Sequence, residues 1–481
     1  MLEIVKGGVR SPGKLYPVSN LSLLAVEHKP FFMLNPANVR LLSIFLVLAT
    51  SSATANTSSH PIGDLPIPQV EASYQSPYYA TEYFPSEAQP ESQAKIGVRY
   101  TLWVPPGLET VRGIIVHQHG CGEGSCKSSV TAAHDLHWQA LARKHDCALL
   151  GPSFRQWQDQ DCFLWADPQH GSDIVFLESL QKLAELSGHP EISTAPWCLW
   201  GHSGGGSWAS RMHLRYPENI IAIWFQSGTA FLRDEFDVNS LADDVLQVPM
   251  MANPGVKERE HERFSAAWDG TLAMFNAYRK RGAPIGFAPD PASGHETGDS
   301  RYLAIPFFDA CLDLRLPDQS SGKLKKINPG AGWLAKPLST EMPRPASAFN
   351  GNRASAVWLP NESVARAWHD FVNTGTVSDN SPPPAPTNVI ADPISGLITW
   401  EQAYDFESGI QAFLILKNGE EIGQIPESTE NRFGRPAFQG MSYGDTPTRL
   451  LEYKFVDTNP NFRQDSEYQV IAINGAGLRS H

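Results

Sequence analysis

Between residues 95 and 315 the sequence alternates short apolar runs with amphipathic stretches, and this pattern constrains the fold more than any other feature. Short apolar runs are typical of strands buried on both faces, and amphipathic stretches are typical of helices that cover a sheet. Strands are predicted at residues 113–117, 147–150, 197–200, 220–225, 248–252 and 284–288. The sequence therefore predicts an α/β domain with a doubly wound, mostly parallel sheet.

Helical periodicity marks the segments between these strands. Helices are predicted at residues 130–145, 264–280 and 363–373, and a further helix is predicted to begin near Ser300. Residues 317–355 are rich in Pro, Gly, Ser and Lys and show little periodicity, so we predict a long surface excursion or a partly mobile insertion. The first domain, which contains this sheet, is predicted to span residues 56–376, with the helix at 363–373 as its closing element.

A second domain is predicted after a proline-rich segment. Residues 377–385 include the run from Ser381 to Pro384, whose composition is typical of a stiff, extended linker. Beyond it, residues 386–481 contain short strands at 397–400, 412–416 and 468–473, and Asn418-Gly419 favours a tight hairpin. The pattern predicts a small all-β sandwich.

The N-terminal segment has the pattern of a secretory signal peptide. An apolar run at residues 41–49 follows Arg40 and precedes Ala53-Thr54-Ala55, a small-x-small cleavage pattern. The run is about half as long as the roughly 20 residues that cross a bilayer, so we expect no stable membrane span after cleavage. We interpret residues 1–55 as an N-terminal extension and signal peptide, with Met33 as the true start. A secreted or periplasmic protein is the expectation.

Charge and cysteine content limit the partners. The chain has 38 basic and 51 acidic side chains, for a net charge of -13, which argues against a nucleic-acid partner. Cysteines of an exported chain can pair, and Cys121 with Cys126, or either with Cys162, are alternatives that spacing does not decide. Cys147 and Cys198 lie in apolar runs and are interpreted as buried thiols.

Metal-binding patterns are not evident in the sequence. It contains neither a Cys-x-x-Cys pair nor a His-x-x-x-His spacing of the kind that indicates a metal site. No metal site and no cofactor are therefore expected.

A glycine-rich turn carries the strongest chemical signal. Gly201-His202-Ser203-Gly204-Gly205 follows the predicted strand at 197–200 and precedes a predicted helix at 206–216. A serine hydroxyl needs a base and an exposed position to act as a nucleophile, and a strand-turn-helix elbow with small neighbours provides that position. The helix N-terminus adds a positive dipole end. We interpret Ser203 as the nucleophile; the alternative is a plain glycine-rich turn.

An oxyanion hole is predicted from two backbone N–H groups. One is that of Gly204, and the other comes from the loop His119-Gly120-Cys121-Gly122 after an earlier strand. We assign the Cys121 N–H as the second donor, with Gly120 or Gly122 as alternates. A plain turn is the competing interpretation of this loop.

Chain order selects the base and the acid. His295 lies in the loop after the strand at 284–288, where the base of such an elbow is expected. The acid is expected after the strand at 248–252, where Glu258 has the right reach. Glu260 and Glu262 lie close to it and remain alternatives, and Asp269 falls in the next helix.

The order of these motifs across residues 95–373 resembles the α/β-hydrolase superfamily. Within it, the chain resembles secreted feruloyl and acetyl-xylan esterases and polyhydroxyalkanoate depolymerases. The resemblance implies acyl transfer through an acyl-enzyme intermediate on Ser203, without a cofactor, with carboxylic esters as substrates. These would be small-molecule or polymeric esters, including acylated carbohydrate. The chain departs from most relatives at Glu258, where they have Asp.

The C-terminal segment resembles a fibronectin type III domain. The resemblance rests on the proline-rich entry, on Trp400 in an early strand, and on alternating Tyr468, Val470, Ala472 and Asn474 near the end. Such modules occur in exported enzymes that degrade polysaccharides and polyesters, so the resemblance implies an extracellular polymeric ester by association alone.

Two other functions remain open from the sequence. One is a catalytically silent hydrolase fold that serves in binding or adhesion, and the other is a peptidase of the same fold. Substrate choice depends on the pocket walls, for which Trp157, Trp165 and Trp208 are candidates. These rings either stack on a sugar or fill the core.

Overall fold

The computed structural model describes residues 78–85, 94–122, 135–156, 161–232, 237–317, 322–401, 405–427, 453–458 and 466–481. The predicted signal peptide, Cys126 and Trp157 lie outside the described residues. The chain divides into two compact units, residues 1–56 and 57–481, and every described residue belongs to the second.

Eight strands form one large sheet. They are β1 (Tyr78–Tyr83), β2 (Val98–Trp103), β3 (Gly113–Gln118), β4 (Cys147–Phe154), β5 (Trp197–His202), β6 (Ile220–Gln226), β7 (Met250–Asn253) and β8 (Ile285–Phe287). Their order is β1-β2-β4-β3-β5-β6-β7-β8. Strand β2 pairs antiparallel with β1 and β4, and all other pairs are parallel. The predicted α/β class with a mostly parallel sheet is confirmed.

Helices cover this sheet. They are α1 (Leu136–Lys144), α2 (Phe163–Ala166), α3 (Ser172–Ser187), α4 (Gly204–Arg215), α5 (Ser265–Lys280), α6 (Arg301–Arg315) and α7 (Glu362–Thr374). Helix α1 begins later than the predicted residue 130, because Asp135 is extended and caps it by accepting hydrogen bonds from the N–H groups of His137 and Trp138. Among the helices of the described ranges, none is long and apolar enough to cross a membrane.

The excursion predicted over residues 317–355 contains two short strands and two 3₁₀ turns in its described part. Strands β9 (Trp333–Ala335), β10 (Arg344–Pro345) and β11 (Val357–Leu359) form a small antiparallel sheet in the order β10-β9-β11. The buried guanidinium of Arg279 donates to the carbonyls of Ala356 (2.7 Å) and Arg353 (2.6 Å), which fastens the segment to α5. Strands of two or three residues are too short to show a period.

The C-terminal segment forms two further antiparallel sheets. Their strands are β12 (Thr387–Ala391), β13 (Leu397–Glu401), β14 (Ile410–Lys417), β15 (Glu420–Ile425), β16 (Lys454–Val456) and β17 (Tyr468–Asn474). The orders are β12-β13-β16 and β15-β14-β17, and Ile398, Trp400 and Phe413 are buried between the sheets. The predicted Asn418-Gly419 turn joins β14 to β15 with φ angles of 53° and 82°. This arrangement fits the predicted β-sandwich.

The sandwich packs against α1. Leu136 is buried in the apolar cluster of the sandwich rather than in that of the large sheet. Beside it, His137 Nε2 lies 2.8 Å from the carbonyl oxygen of Phe406, and burial lowers the pKa of His137 to about 3. The imidazole is therefore neutral, and its Nε2–H donates to that carbonyl. The first turn of α1 thus joins the two parts.

A buried ion pair holds the starts of α1 and α6 together. Arg301 Nη1 lies 2.7 Å from Asp135 Oδ2, and the two side chains are 6% and 0% exposed. Burial raises the pKa of Asp135, whereas the charge of Arg301 opposes that rise. Removing one partner would leave a buried charge uncompensated, which is the costly way to disrupt such a pair.

We expect Arg301→Met to lower the free energy of unfolding by about 3–5 kcal/mol, because the Asp135 carboxylate would remain buried without its cation. Denaturant unfolding followed by tryptophan fluorescence measures the loss. The control is Arg366→Met, which disrupts the exposed pair of Arg366 and Glu362 on α7 and should cost less than about 1 kcal/mol. Equal losses in the two variants would contradict the role of the buried pair.

Candidate active site

Ser203 lies at a strained turn between β5 and α4. Its φ and ψ are 52° and -116°, in a region of backbone conformation that residues other than glycine rarely adopt. Such a backbone costs about 1–3 kcal/mol and persists only where the surroundings enforce it. A Cβ at Gly205 would lie 2.2 Å from the Gln118 carbonyl oxygen, and one at Gly228 would lie 2.1 Å from the Ser203 carbonyl oxygen. The turn is therefore packed directly against the ends of β3 and β6.

A chain of hydrogen bonds joins the three side chains that the sequence predicted for the site. Ser203 Oγ lies 2.9 Å from His295 Nε2, and His295 Nδ1 lies 2.5 Å from Glu258 Oε1. Glu258 belongs to a 3₁₀ turn, Val256–Glu260, that follows β7, and His295 lies in the loop after β8. The alternatives Glu260 and Glu262 are exposed and Glu258 is fully buried, so the geometry selects Glu258.

Burial sets the charge states of this chain. It raises the pKa of Glu258 to about 8, while the hydroxyl of Ser227 and the backbone at Gly255 act in the opposite direction. Burial and, after it, the positive charge of Arg263 lower the pKa of His295 to about 4. Both shifts disfavour the charged form, as expected for groups withdrawn from water.

The tautomer of His295 follows from these contacts. When Glu258 is ionised, it can only accept, so His295 Nδ1–H donates to it. Nε2 then carries a lone pair that faces the Ser203 hydroxyl. An imidazole in this state can take a proton from the hydroxyl, and the carboxylate can stabilise the resulting imidazolium.

The predicted oxyanion donors lie on adjacent segments. Gly204 is the first residue of α4, and the Cβ that it lacks would lie 3.5 Å from the Cys121 nitrogen. The Gly122 N–H, one of the alternates, donates to Gln156 Oε1 at 3.0 Å. The backbone of Cys121 therefore lies beside the start of α4, whereas the Gly122 N–H is engaged by Gln156.

A disulfide bond joins Cys121 to Cys162 next to this position, with a Cα–Cα distance of 5.4 Å. It resolves the alternatives that spacing left open. A Cβ at Gly204 would lie 2.4 Å from Cys121 Sγ, so the bridge packs onto the start of α4. Cys147 and Cys198 are buried free thiols, as predicted.

A cavity of about 310 Å³ opens over Ser203. It is lined by Gly120, Cys121, His202, Ser203, Arg263, Phe264, His295 and Glu296. The Phe264 ring stacks on the imidazole of His295, with the centroids 3.9 Å apart and an interplanar angle of 5°. Phe264 therefore restricts rotation of the imidazole from one side. Its role was not predicted, because nothing in the sequence links it to His295.

Trp165 and Trp208 do not line the cavity, so their candidacy as pocket walls is wrong. They are 1% and 2% exposed. Trp165 stacks on Phe154 at 4.6 Å, and Trp208 packs against Phe176 at 5.5 Å. Large rings stabilise a core by burying their area there, and both of these rings do so.

His202 supports the loop that carries His295. Its Nε2 lies 2.6 Å from the His295 carbonyl oxygen, and burial lowers its pKa to about 3. The ring is neutral, so Nε2–H donates to that carbonyl. His202 was visible in the sequence only as the variable position of the elbow, which carried no signal for this contact.

A metal is not indicated by the described side chains. No group of three or more His, Cys, Asp or Glu among them is arranged to hold one.

A mostly parallel, helix-covered sheet with a strained serine between a strand and a helix defines the α/β-hydrolase fold. No protein-family model matches the sequence, and no curated protein sequence matches it.

Several solved structures are similar at low identity. A dienelactone hydrolase from Anabaena variabilis is 17% identical, with a TM-score of 0.30 over 46% of this chain and 89% of its own. An enterobactin esterase from Shigella flexneri is 13% identical, with a TM-score of 0.34 over 49% of this chain and 57% of its own. An S-formylglutathione hydrolase from Agrobacterium tumefaciens is 13% identical, with a TM-score of 0.29 over 44% and 85%. Similarity at this level supports no conclusion about activity.

We expect Gly228→Ala to destabilise the protein by about 1–3 kcal/mol, as overpacking of a tight site does. The new methyl group would meet the Ser203 carbonyl, which is backbone and cannot rotate away. Denaturant unfolding measures the loss. Gly330→Ala, at an exposed position near only the Asn328 side chain, is the control and should be nearly neutral. A neutral Gly228→Ala variant would show that the turn does not depend on this contact.

Proposed function

We propose that the protein is a serine hydrolase that cleaves carboxylic esters through an acyl-enzyme intermediate. The observation that carries the proposal is the hydrogen-bonded chain from Ser203 through His295 to buried Glu258, at the mouth of a cavity. A silent binding fold has no need for a buried carboxylate, which is costly to keep. The second alternative, a peptidase, would use the same side chains, and no contact in the structure favours it.

The proposed acylation begins when Ser203 Oγ attacks the ester carbonyl while His295 Nε2 takes its proton. The carbonyl π electrons move onto oxygen, and the N–H groups of Gly204 and Cys121 stabilise that oxyanion. His295 then returns the proton to the leaving alcohol as the tetrahedral intermediate collapses. The acyl group is left on Ser203 as an ester.

Deacylation repeats these steps with water. His295 takes a proton from water, whose oxygen attacks the acyl carbonyl, and the proton then returns to Ser203 Oγ as the carboxylic acid departs. Glu258 holds the imidazole and stabilises its charged form in both halves. The lowered pKa of His295 keeps the imidazole neutral at pH 7, so the lone pair of Nε2 is available to the Ser203 hydroxyl.

The protein is also proposed to be exported. It is supported by the signal-like pattern at residues 41–55 and by the Cys121–Cys162 disulfide, since disulfides persist in oxidising compartments. A fibronectin type III-like C-terminal domain is supported by the two three-stranded sheets around Trp400. An acylated polysaccharide or a polyester is the proposed natural substrate.

Ser203→Ala tests the function. We expect the purified protein to hydrolyse short acyl esters and to be labelled by a fluorophosphonate probe, and we expect the variant to lose both properties because the nucleophile is gone. Mass spectrometry of the labelled peptide identifies the site. The control is Ser363→Ala, at an exposed serine on α7, which should retain activity. Hydrolysis that persists in Ser203→Ala would overturn the proposal.

The substrate class is tested on the same preparation. Feruloyl sugars, acetylated sugars and a polyester film should separate the proposed carbohydrate and polyester substrates. Hydrolysis of a peptide amide in preference to these esters would favour the peptidase instead.

Glu258→Gln tests the assignment of the acid. The amide keeps the volume but can donate to His295 Nδ1, which would favour the tautomer with the proton on Nε2. We expect kcat to fall by about 10³- to 10⁴-fold with the fold intact by circular dichroism. Glu260→Gln, two residues away and exposed, is the matched control and should leave kcat unchanged. Similar activities for the two variants would exclude Glu258 as the acid.

A further inference from the structure

Arg263 is a cation at the mouth of the cavity. It lies immediately before Phe264 and α5, and it lines the cavity together with Ser203 and His295. Its side chain is exposed. The position is close enough for its charge to lower the pKa of His295, where it is the largest charge effect. Arg263 therefore acts electrostatically on the reacting side chains without touching Glu258.

The guanidinium of Arg263 lacks an anionic partner within the described part of the chain. The guanidinium instead lies over the face of the Phe264 ring, with its carbon atom 5.0 Å from the ring centroid. Two arginines of α4 have carboxylate partners instead: Arg211 pairs with Asp167 at 3.6 Å, and Arg215 pairs with Asp173 at 2.9 Å. An arginine at a reaction centre with its donors unused is a ready partner for a carboxylate.

Phe264 positions the guanidinium of Arg263 relative to the reacting side chain of His295. The ring stacks on His295 at 3.9 Å, and the guanidinium carbon of Arg263 lies over the same ring, 5.0 Å from its centroid. A guanidinium held over a ring can still offer its N–H groups for a bidentate contact. The group that accepts these hydrogen bonds would belong to the substrate and would lie a short distance from its scissile carbonyl.

Glu296 also lines the cavity, and its charge opposes that of Arg263 at His295, but the effect of Arg263 is the larger of the two. Glu296 is exposed, and its Oε1 accepts a hydrogen bond from the Gly294 N–H at 2.9 Å within its own loop. The chain as a whole carries a net charge of -13. Because that charge repels anions, a positive group at the cavity is what an anionic ester would need in order to bind.

We propose that this site selects esters that carry a carboxylate near the scissile bond, and that Arg263 binds that carboxylate. The inference rests on the proposed ester hydrolysis and names its substrate class. The carboxylate lies on either the acyl or the alcohol side of the ester, and matched substrate pairs distinguish the two.

The test compares esters that differ in one charge. On the acyl side, the pair is the mono-p-nitrophenyl ester of glutaric acid and p-nitrophenyl valerate. On the alcohol side, it is 4-acetoxybenzoate and 4-acetoxybenzamide. We expect the wild-type protein to prefer the anionic member of one pair. Arg263→Gln should lower the ratio of kcat/KM for the anionic member to kcat/KM for the neutral member by about 10- to 100-fold, as loss of a charge-assisted hydrogen bond does. A change common to both members would report the effect of the charge on His295.

Arg259→Gln is the matched control. Arg259 is exposed, and its guanidinium lies over the Trp268 ring, 5.1 Å from the centroid, rather than in the cavity. The substitution removes the same charge as Arg263→Gln. Its substitution should leave the ratio of the two kcat/KM values unchanged. Added salt should reduce the anionic preference of the wild-type protein through screening, and should have no such effect on Arg263→Gln.

Two outcomes separate the inference from the function on which it rests. If neutral esters are hydrolysed through Ser203 and the wild-type protein shows no anionic preference in either pair, this inference is overturned and the hydrolase remains. The same holds if Arg263→Gln and Arg259→Gln have equal ratios. If no ester is hydrolysed in a Ser203-dependent manner, the proposed function itself fails.

Discussion

The contact between the Ser203 turn and the chain after β6 is the constraint on which the site depends. Gly228 approaches the Ser203 carbonyl so closely that a Cβ would lie 2.1 Å from it. The Ser203 N–H also donates to the Gln226 carbonyl at 2.8 Å. These contacts hold a backbone conformation that is unfavourable by itself. As a result, the hydroxyl projects from the end of the sheet, where His295 meets it.

Around that turn, the site is built from groups that are costly to bury. Glu258 is fully buried, the side chain of His295 is 18% exposed, and Phe264 excludes water from one side of the imidazole. Each loses solvation, and each recovers part of the loss through its partner. Elsewhere in the fold the Asp135–Arg301 pair follows the same principle, since it anchors the first turns of α1 and α6. Helix α1 in turn carries the contact with the C-terminal sandwich.

Sequence reasoning located the elements whose position is determined by local backbone and chain order. The strands from β3 to β8 and the Asn418-Gly419 hairpin have periods or turn signals that belong to a few adjacent residues. Ser203, His295 and Glu258 follow from the order of loops at the ends of parallel strands, which meet at one edge. Reasoning failed for Trp165 and Trp208, because an aromatic residue near a site in sequence does not reveal whether its ring faces the cavity or the core.

The sequence by itself determined the class of sheet, the strained elbow and the order of the site residues, because each depends on hydrophobic period, on glycine placement or on chain direction. Only the tertiary structure decided that Cys121 pairs with Cys162 and that Glu258, not Glu260 or Glu262, faces His295. The same is true of the stacking of Phe264 on His295 and of the position of Arg263 over the cavity. The disulfide joins residues 41 positions apart and the Glu258–His295 contact joins residues 37 positions apart, and no local pattern encodes the distance between such segments.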